Sequence, residues 1–190
     1  MKMQSFRSQI WDCAFATQAI LATNMVEEYG DSLKKAHFFI KESQIRQNPS
    51  GDFSKMCRHF TKGGWAFSDQ DHGCVVSDCA AEALKCLLLL SKMPEEISGE
   101  NANNERLFEA VNVLLYLQSP ITGGFAMLNP SEIFADIVVE KEHVEVTASI
   151  TQALVAFNHL HPRHREKEIE VSVAKAVCYL EGKQLHDGSW

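Results

Sequence analysis

The sequence Val75-Val76-Ser77-Asp78-Cys79-Ala80-Ala81-Glu82 leads into an apolar run that is predicted to form a buried helix. Residues 83–90 hold one charged side chain, Lys85, among alanines, leucines and a cysteine, a pattern typical of a core helix. Asp78 is therefore expected at the mouth of an apolar helix, where a carboxylic acid is poorly solvated and its protonated form is favoured. Such an acid is a candidate proton donor. The Cys79 thiol beside it is able to hydrogen-bond the acid and hold it in place.

The same eight residues have a plainer interpretation. Ser77 and Asp78 are both preferred N-cap residues, so a helix cap explains them without any catalytic role. Taken alone, the stretch favours the cap over the proton donor, because caps are common and catalytic acids are rare. The rest of the chain has to decide between the two.

Composition narrows the class of protein. The chain has 190 residues, 45% of them hydrophobic, and a net charge of -7, which suits one domain with a real core and argues against a nucleic-acid partner. Its six cysteines contain no C-x-x-C pair, so a reducing environment fits better than a disulfide framework. The longest uncharged apolar run, residues 86–90, is far too short to cross a bilayer.

A repeat runs through the chain. Acids at positions 12, 78 and 145 each precede small residues and then an apolar helix, so the repeat steps are 66 and 67 residues. A second, amphipathic helix is predicted after each of these apolar helices. Each second helix ends at a glutamine, and a loop that contains glycine follows it. The second helices are Leu33–Gln44, Leu107–Gln118 and Val171–Gln184. The loop after the first is predicted to turn at Gly51.

Helix pairs of this kind bury their apolar faces by stacking on neighbouring pairs. We therefore expect an all-α protein of two helical layers, part of an α/α barrel or toroid, with repeats at about 1–74, 75–143 and 144–190. Three helix pairs are too few to close a ring, so we expect a piece of a larger enzyme.

The chain resembles the oxidosqualene cyclases of the terpene cyclase/mutase family, and plant triterpene synthases such as β-amyrin and cycloartenol synthase in particular. The resemblance covers essentially all 190 residues, which correspond to a central segment of a much longer family chain. The closing stretch is similar to the family's QW motif, a Gln…Gly-x-Trp repeat that ties outer helices together. The matching stretches are Ser8–Asp12, Lys62–Trp65, Asp69–Gly73, Val76–Glu82, Leu128–Glu132 and Gln184–Trp190.

The resemblance implies a specific chemistry. It implies that Asp78 protonates 2,3-oxidosqualene and opens its epoxide to start a cascade of ring closures, with Cys79 as hydrogen-bond partner of the acid. Trp11 and Phe67 align with aromatic cavity positions, where a π face stabilises a cation without quenching it; simple packing is the alternative for both. The resemblance implies neither metal nor cofactor. It implies a peripheral enzyme on the cytosolic side of the endoplasmic reticulum membrane or of lipid droplets.

The chain departs from the family pattern at four places. Ala80 replaces a threonine, which is a mild change. Val146 replaces a second cysteine that hydrogen-bonds the acid in the family, and valine has no proton to donate. Cys74 stands in place of a QW tryptophan. The segment between Phe125 and Leu128 is roughly a dozen residues shorter than in the family.

Two other functions remain open from the sequence. A helical-repeat module without catalytic activity, binding an apolar or protein partner, would explain the loss of the Val146 thiol. A protein prenyltransferase subunit shares the α/α-toroid architecture but needs Asp, Cys and His ligands for zinc. His59 and His72 are interpreted as polar loop residues, so the sequence offers no convincing zinc site. For the cyclase hypothesis we expect residues 1–190 to be inactive alone.

Overall fold

Every regular element in the part of the chain that the structure describes is helical. The computed structural model describes residues 8–23, 25–52, 60–68, 75–127 and 141–190. The only β pairings in these ranges are the isolated bridges Gln118–Phe125 and Ala126–Glu142. The all-α class is thus confirmed. The helices are α1 (Gln9–Ala22), α2 (Gly30–Glu42), α3 (Ser77–Leu90), α4 (Glu95–Ser98), α5 (Asn104–Tyr116), α6 (Val144–Leu160) and α7 (Glu166–Lys183).

The longer helices form two rows. Helices α1, α3 and α6 make the first row with α3 in the middle, and α2, α5 and α7 pack behind them as the second row. This arrangement agrees with the α/α-toroid architecture, while the repeat boundaries at about 74 and 143 stay a prediction. None of the described helices is both long and apolar enough to span a membrane.

The second-row helices start three to five residues before the predicted positions. They begin at Gly30, Asn104 and Glu166 rather than at residues 33, 107 and 171, and each ends one or two residues before its glutamine. The predicted start of each helix was its first apolar residue, whereas the first turn of each helix is polar. Polar side chains favour that turn because its free backbone N–H groups face water and attract acids.

Helix α3 is buried on nearly all sides. Only Lys85 and Leu89 of its fourteen residues escape full burial, because α1, α2, α5 and α6 all pack against it. A fully buried leucine contributes about 1.5–3 kcal/mol, so the leucines of this helix are a main source of stability. Large, fully buried side chains around them include Trp65, Phe125, Phe157, Ile40 and Ile150.

The neighbouring helices α3 and α6 run parallel with a fixed register. Ser149 Oγ donates to Glu82 Oε1 over 2.6 Å, and Lys85 Nζ donates to Gln152 Oε1 over 3.3 Å. Both pairs are separated by 67 residues, the step that the sequence repeat predicts. The repeat therefore places equivalent positions of these two helices side by side.

A glutamine after each of the first two second-row helices joins that helix pair to the next. Gln44 Nε2 donates to the carbonyl of Gly63 at 2.8 Å and to that of Arg106, in α5, at 2.9 Å. Gln118 Nε2 donates to Gly123 at 2.8 Å and to Ser172, in α7, at 2.8 Å. We call each such contact a joint: the glutamine and glycine are its donor half, and the receiving second-row helix is its acceptor half.

The glycine of each joint lies directly against the receiving helix. A Cβ on Gly63 would lie 2.5 Å from the backbone of Glu109, and one on Gly123 would lie 2.7 Å from the carbonyl oxygen of Lys175. Both glycines have positive φ, 95° and 79°. The predicted loop glycine, Gly51, also has positive φ, but the glycine that joins Gln44 is Gly63.

Replacing a joint glycine is expected to destabilise the protein strongly. We predict that Gly63→Ala lowers the free energy of unfolding by about 2–4 kcal/mol, because the new methyl group meets helix backbone and the residue also resists positive φ. Gly188→Ala is the matched control, since Gly188 has positive φ but nothing lies within 4 Å of its Cβ position. Urea unfolding followed by circular dichroism measures both; equal losses in the two variants would contradict the close-approach explanation.

Candidate active site

Asp78 lies in the first turn of α3 with only 5% of its surface exposed. The N-cap position belongs to Val76, which makes no side-chain cap bond. Ser77 Oγ instead donates to the carbonyls of Ala126 and Met127. Asp78 Oδ1 accepts the backbone N–H of Cys79 at 2.7 Å. Neither candidate cap residue therefore occupies the cap position, although Asp78 does satisfy one free N–H of the first turn.

Burial dominates the acidity of Asp78. Removal from water raises the pKa of the Asp78 carboxyl above its ordinary value, and the nearby Glu82 adds to the rise. Hydrogen bonds from the Cys79 backbone and thiol oppose the shift, because they stabilise the ionised form. The net shift is upward, so Asp78 holds its proton to higher pH than an exposed aspartate.

Cys79 is fully buried beside the acid. Burial raises the pKa of its thiol strongly, and the Asp78 charge raises it further. The thiol therefore stays protonated at neutral pH, which suits a hydrogen-bond donor rather than a nucleophile. Its role as catalytic partner of Asp78 stays a prediction.

The three repeated acids are not equivalent. Asp12 is exposed and accepts a hydrogen bond of 2.7 Å from Ser8 Oγ. Glu145 is also exposed at the start of α6. Of the three, Asp78 alone is buried, because α3 is the middle helix of its row.

Aromatic side chains cluster at the same end of the first row. The ring centroids of Trp11 and Phe67 lie 6.4 Å apart, and those of Trp11 and Phe15 lie 4.6 Å apart. Phe67 is close to the start of α3, because the carbonyl of Trp65 accepts the N–H of Val76 at 3.0 Å. Trp11 and Phe67 are both half-buried. The structure thus brings the two predicted aromatic residues together and adds Phe15, whose position four residues after Trp11 is the sequence signal for it.

Glu82 is a buried site residue to which the sequence analysis assigned no role. It is 3% exposed and joins all three first-row helices. Gln18 of α1 donates to its Oε2 at 2.6 Å, Ser149 of α6 donates to its Oε1 at 2.6 Å, and Lys85 pairs with it at 2.7 Å. The sequence does contain a signal for Glu82: it lies four residues after Asp78, and residues four apart lie on the same face of a helix.

The departures from the family pattern fall partly within the described residues. Val146 is 1% exposed in the first turn of α6, and the 67-residue register places it opposite Cys79. Ala80 is fully buried, so a small side chain fits there. Cys74, His59, His72 and residues 128–140, which follow the shortened segment, lie outside the described residues.

Metal binding finds no support in the ranges that the structure describes. No group of three or more His, Cys, Asp or Glu side chains there is placed to hold an ion. The expectation that no metal or cofactor is needed stays a prediction. One cavity of about 340 Å³ lies beyond the far end of α6 from Asp78, lined by Phe108 and residues 160–164, so it is separate from the acid.

Two helical rows with a buried acid and aromatic rings at one end are the features expected of a cyclase domain of the α/α-toroid class. The family model for the squalene-hopene cyclase C-terminal domain matches residues 7–190. The chain therefore belongs to the squalene–hopene cyclase C-terminal domain family, and its resemblance to the oxidosqualene cyclases is confirmed.

Curated relatives agree with this assignment. The chain is 42% identical to lanosterol synthase of Homo sapiens over 205 residues, 38% to alpha-onocerin synthase LCD of Lycopodium clavatum over 203, and 37% to cycloartenol synthase of Dictyostelium discoideum over 204. Each alignment takes in 100% of this chain but only 26–28% of the relative. The chain thus spans just over a quarter of the length of these relatives. Animal and fungal enzymes are among the matches, so the comparisons do not single out the plant enzymes.

Asp78 is expected to cost stability at neutral pH. Its pKa is higher in the folded chain than in the unfolded chain. Its favourable contribution to the free energy of unfolding is therefore fully present below the unfolded pKa and is lost as the pH rises through the folded pKa. We predict that Asp78→Asn raises Tm by about 2–4 °C at pH 7, the change that about 1 kcal/mol produces in a domain of this size. The gain should vanish near pH 3. Thermal scans at both pH values, with the exposed Asp12→Asn as control, measure it; a lower Tm for Asp78→Asn at pH 7 would contradict the assignment.

Proposed function

We propose that this chain supplies the proton donor and part of the cavity wall of an oxidosqualene cyclase. The observation that carries the proposal is the burial of Asp78 in the first turn of α3, with its pKa raised, in a chain of the squalene–hopene cyclase C-terminal domain family. A buried acid whose pKa is raised keeps its proton to higher pH than an exposed one, which suits it to protonating a weak base. The epoxide oxygen of 2,3-oxidosqualene is such a base.

The proposed step is a simple acid-catalysed ring opening. Asp78 transfers its carboxyl proton to the epoxide oxygen, a C–O bond breaks, and the oxygen becomes a hydroxyl group. Electron pairs of the substrate's alkenes then attack the resulting carbocation in turn, forming carbon–carbon bonds until a proton is lost. The reaction is an isomerisation, so it consumes no reductant, oxidant or cofactor.

Cys79 and the aromatic rings have separate roles in this proposal. The N–H of Cys79 fixes Asp78 Oδ1 at 2.7 Å, which keeps the acid in one orientation as it ionises. Trp11 and Phe67, at the same end of the first row as the acid, are proposed to face the cavity of the complete cyclase, where their π faces stabilise passing cations. Their half-exposed rings, 6.4 Å apart, support this role over complete burial in the core.

Activity is proposed for the complete cyclase and not for residues 1–190 alone. A proton donor of this kind works in a cavity closed to water, and three helix pairs leave the first-row side open. The intact enzyme would act on the cytosolic face of the endoplasmic reticulum or of lipid droplets, docked without spanning the bilayer.

A non-catalytic helical-repeat module, binding an apolar or protein partner, is the second candidate. Val146 favours it, because this buried side chain replaces the thiol that holds the acid in the family. Without that second donor, Asp78 would be a differently poised acid.

A chimera separates the two candidates. Residues 1–190 replace the matching segment of a working cycloartenol synthase, and the products formed from oxidosqualene are extracted and quantified. We predict cyclised product that falls about 10²–10⁴-fold on Asp78→Asn, the range for loss of a general acid, while Glu145→Gln, an exposed acid at the equivalent repeat position, leaves the rate unchanged.

Val146→Cys in the same chimera is expected to raise the rate by restoring a donor beside the acid. Product formation that continues after Asp78→Asn would show that Asp78 is not the proton donor. A folded chimera that makes no product even with Val146→Cys and a lengthened segment after Phe125 would favour the binding module.

A further inference from the structure

The cavity at the far end of α6 from Asp78 lies between α5 and the turn that connects α6 to α7. Its volume of about 340 Å³ is at the lower end of the range that small-molecule sites span. The proposed cyclase chemistry uses none of its lining residues. They are Phe108, Leu160, His161, Pro162, Arg163 and His164.

Stacked rings give this cavity a fixed wall. The ring of His164 stacks on that of Phe108, with centroids 3.9 Å apart and planes 10° apart. The ring of His161 stacks on that of Phe157, in α6, with centroids 4.9 Å apart. Phe108 and Phe157 meet edge to face at 6.0 Å. Because each ring contacts the next, the two imidazoles are held in defined orientations.

The turn itself is fastened to both neighbouring helices. The N–H of His164 donates to the carbonyl of His161 at 3.1 Å, which closes the turn. The next residue, Arg165, donates to Asn112 Oδ1 of α5 at 2.7 Å and to both carboxylate oxygens of Glu168 in α7. The cavity is therefore formed before any ligand arrives, which reduces the ordering that binding would cost.

The wall of the cavity carries unused polar groups and no acid. Among the described residues, Arg163 has no ion pair and neither lining imidazole has a hydrogen-bond partner. His164 Nε2 is buried in that state. Glu168 lies close enough to act on His164, but its carboxylate is already engaged by Arg165. The group that this wall lacks is an anion.

One full positive charge lies among the lining residues at neutral pH. Burial lowers the pKa of both imidazoles, and nearby positive charge lowers that of His164 further. Both rings are thus neutral at pH 7, which leaves the guanidinium of Arg163. A guanidinium matches the two oxygens of a carboxylate in a bidentate pair. The apolar and aromatic surface of Phe108, Leu160 and Pro162 suits a flat apolar body.

We propose that this cavity binds a small organic monoanion, a carboxylate carried on a flat apolar body. Arg163 pairs with the carboxylate, and the ring nitrogens of His161 and His164 are the further hydrogen-bonding groups. The apolar body lies against Phe108 and Leu160. The cavity is separate from Asp78, so the inference does not depend on the proposed function.

Binding of 1-naphthoate to this protein tests the proposal, with 1-naphthalenemethanol as the uncharged probe of the same ring system. Carbon-13 labelling of the histidine rings lets NMR follow the cavity directly, and His161→Gln and His164→Gln assign the two signals. We expect naphthoate to shift both signals with a Kd of about 0.1–1 mM, as for a ligand of about a dozen non-hydrogen atoms. The alcohol should bind about tenfold more weakly or worse, because it lacks the charged pair.

Two charge variants show whether the contact with the anion is specific. Arg163→Gln removes the proposed partner of the carboxylate and should raise the Kd for naphthoate about tenfold or more. Lys167→Gln removes the same charge from an exposed residue in the first turn of α7 that does not line the cavity, and it should leave the Kd unchanged.

Three results would overturn the proposal. The first is no shift of either histidine signal at about ten times the expected Kd. Equal weakening by Arg163→Gln and Lys167→Gln would mean general attraction of anions to a positive region. Equal affinity for naphthoate and the alcohol would mean that the cavity is only an apolar patch.

Discussion

The burial of α3 on nearly all sides is the constraint on which the rest of the structure depends. Four other helices pack against it, so its leucines and alanines form the centre of the core. Two carboxylic acids are buried on the same helix. Burial disfavours the charge of an acid unless the acid is paired. Glu82 is paired with Lys85, whereas burial raises the pKa of Asp78.

The two acids show how position along one helix decides their chemistry. Glu82 lies one turn deeper, where Gln18, Ser149 and Lys85 surround it and hold three helices together. Asp78 lies at the helix entrance, where, among the described residues, its carboxylate accepts the backbone N–H of Cys79 at 2.7 Å and has no cationic partner. This difference in surroundings agrees with the raised pKa of the Asp78 carboxyl.

Much of this architecture could be predicted from the sequence. The apolar run after Asp78 and the 67-residue step fix a buried helix and its parallel neighbour, because side-chain periodicity reports burial directly. The family resemblance pointed to Trp11 and Phe67, whose rings the structure brings within 6.4 Å of each other; their roles and that of Asp78 stay predictions. The predicted helix boundaries were furthest off at the polar first turns, where hydrophobicity carries no signal, and were off by one or two residues at the ends.

The remaining features depend on three-dimensional packing. Asp12, Asp78 and Glu145 look alike in the repeat, and only the position of α3 between two other helices separates the buried one from the exposed ones. Gly51 follows Gln44 closely in sequence, yet Gly63 makes the joint, because the choice depends on which glycine reaches Glu109. Glu82 was visible as an acid in an apolar stretch, but its partners lie 64 and 67 residues away.

The protonation state of Asp78 tests the central claim most directly. Carbon-13 NMR of aspartate-labelled protein, with Asp78→Asn to assign the resonance, follows the carboxyl through a pH titration. The structure predicts that the Asp78 resonance titrates at a pH above that of the exposed Asp12. A resonance that titrates at or below the ordinary aspartate pKa would mean that Asp78 is ionised in the folded chain, and the proton-donor account would fail.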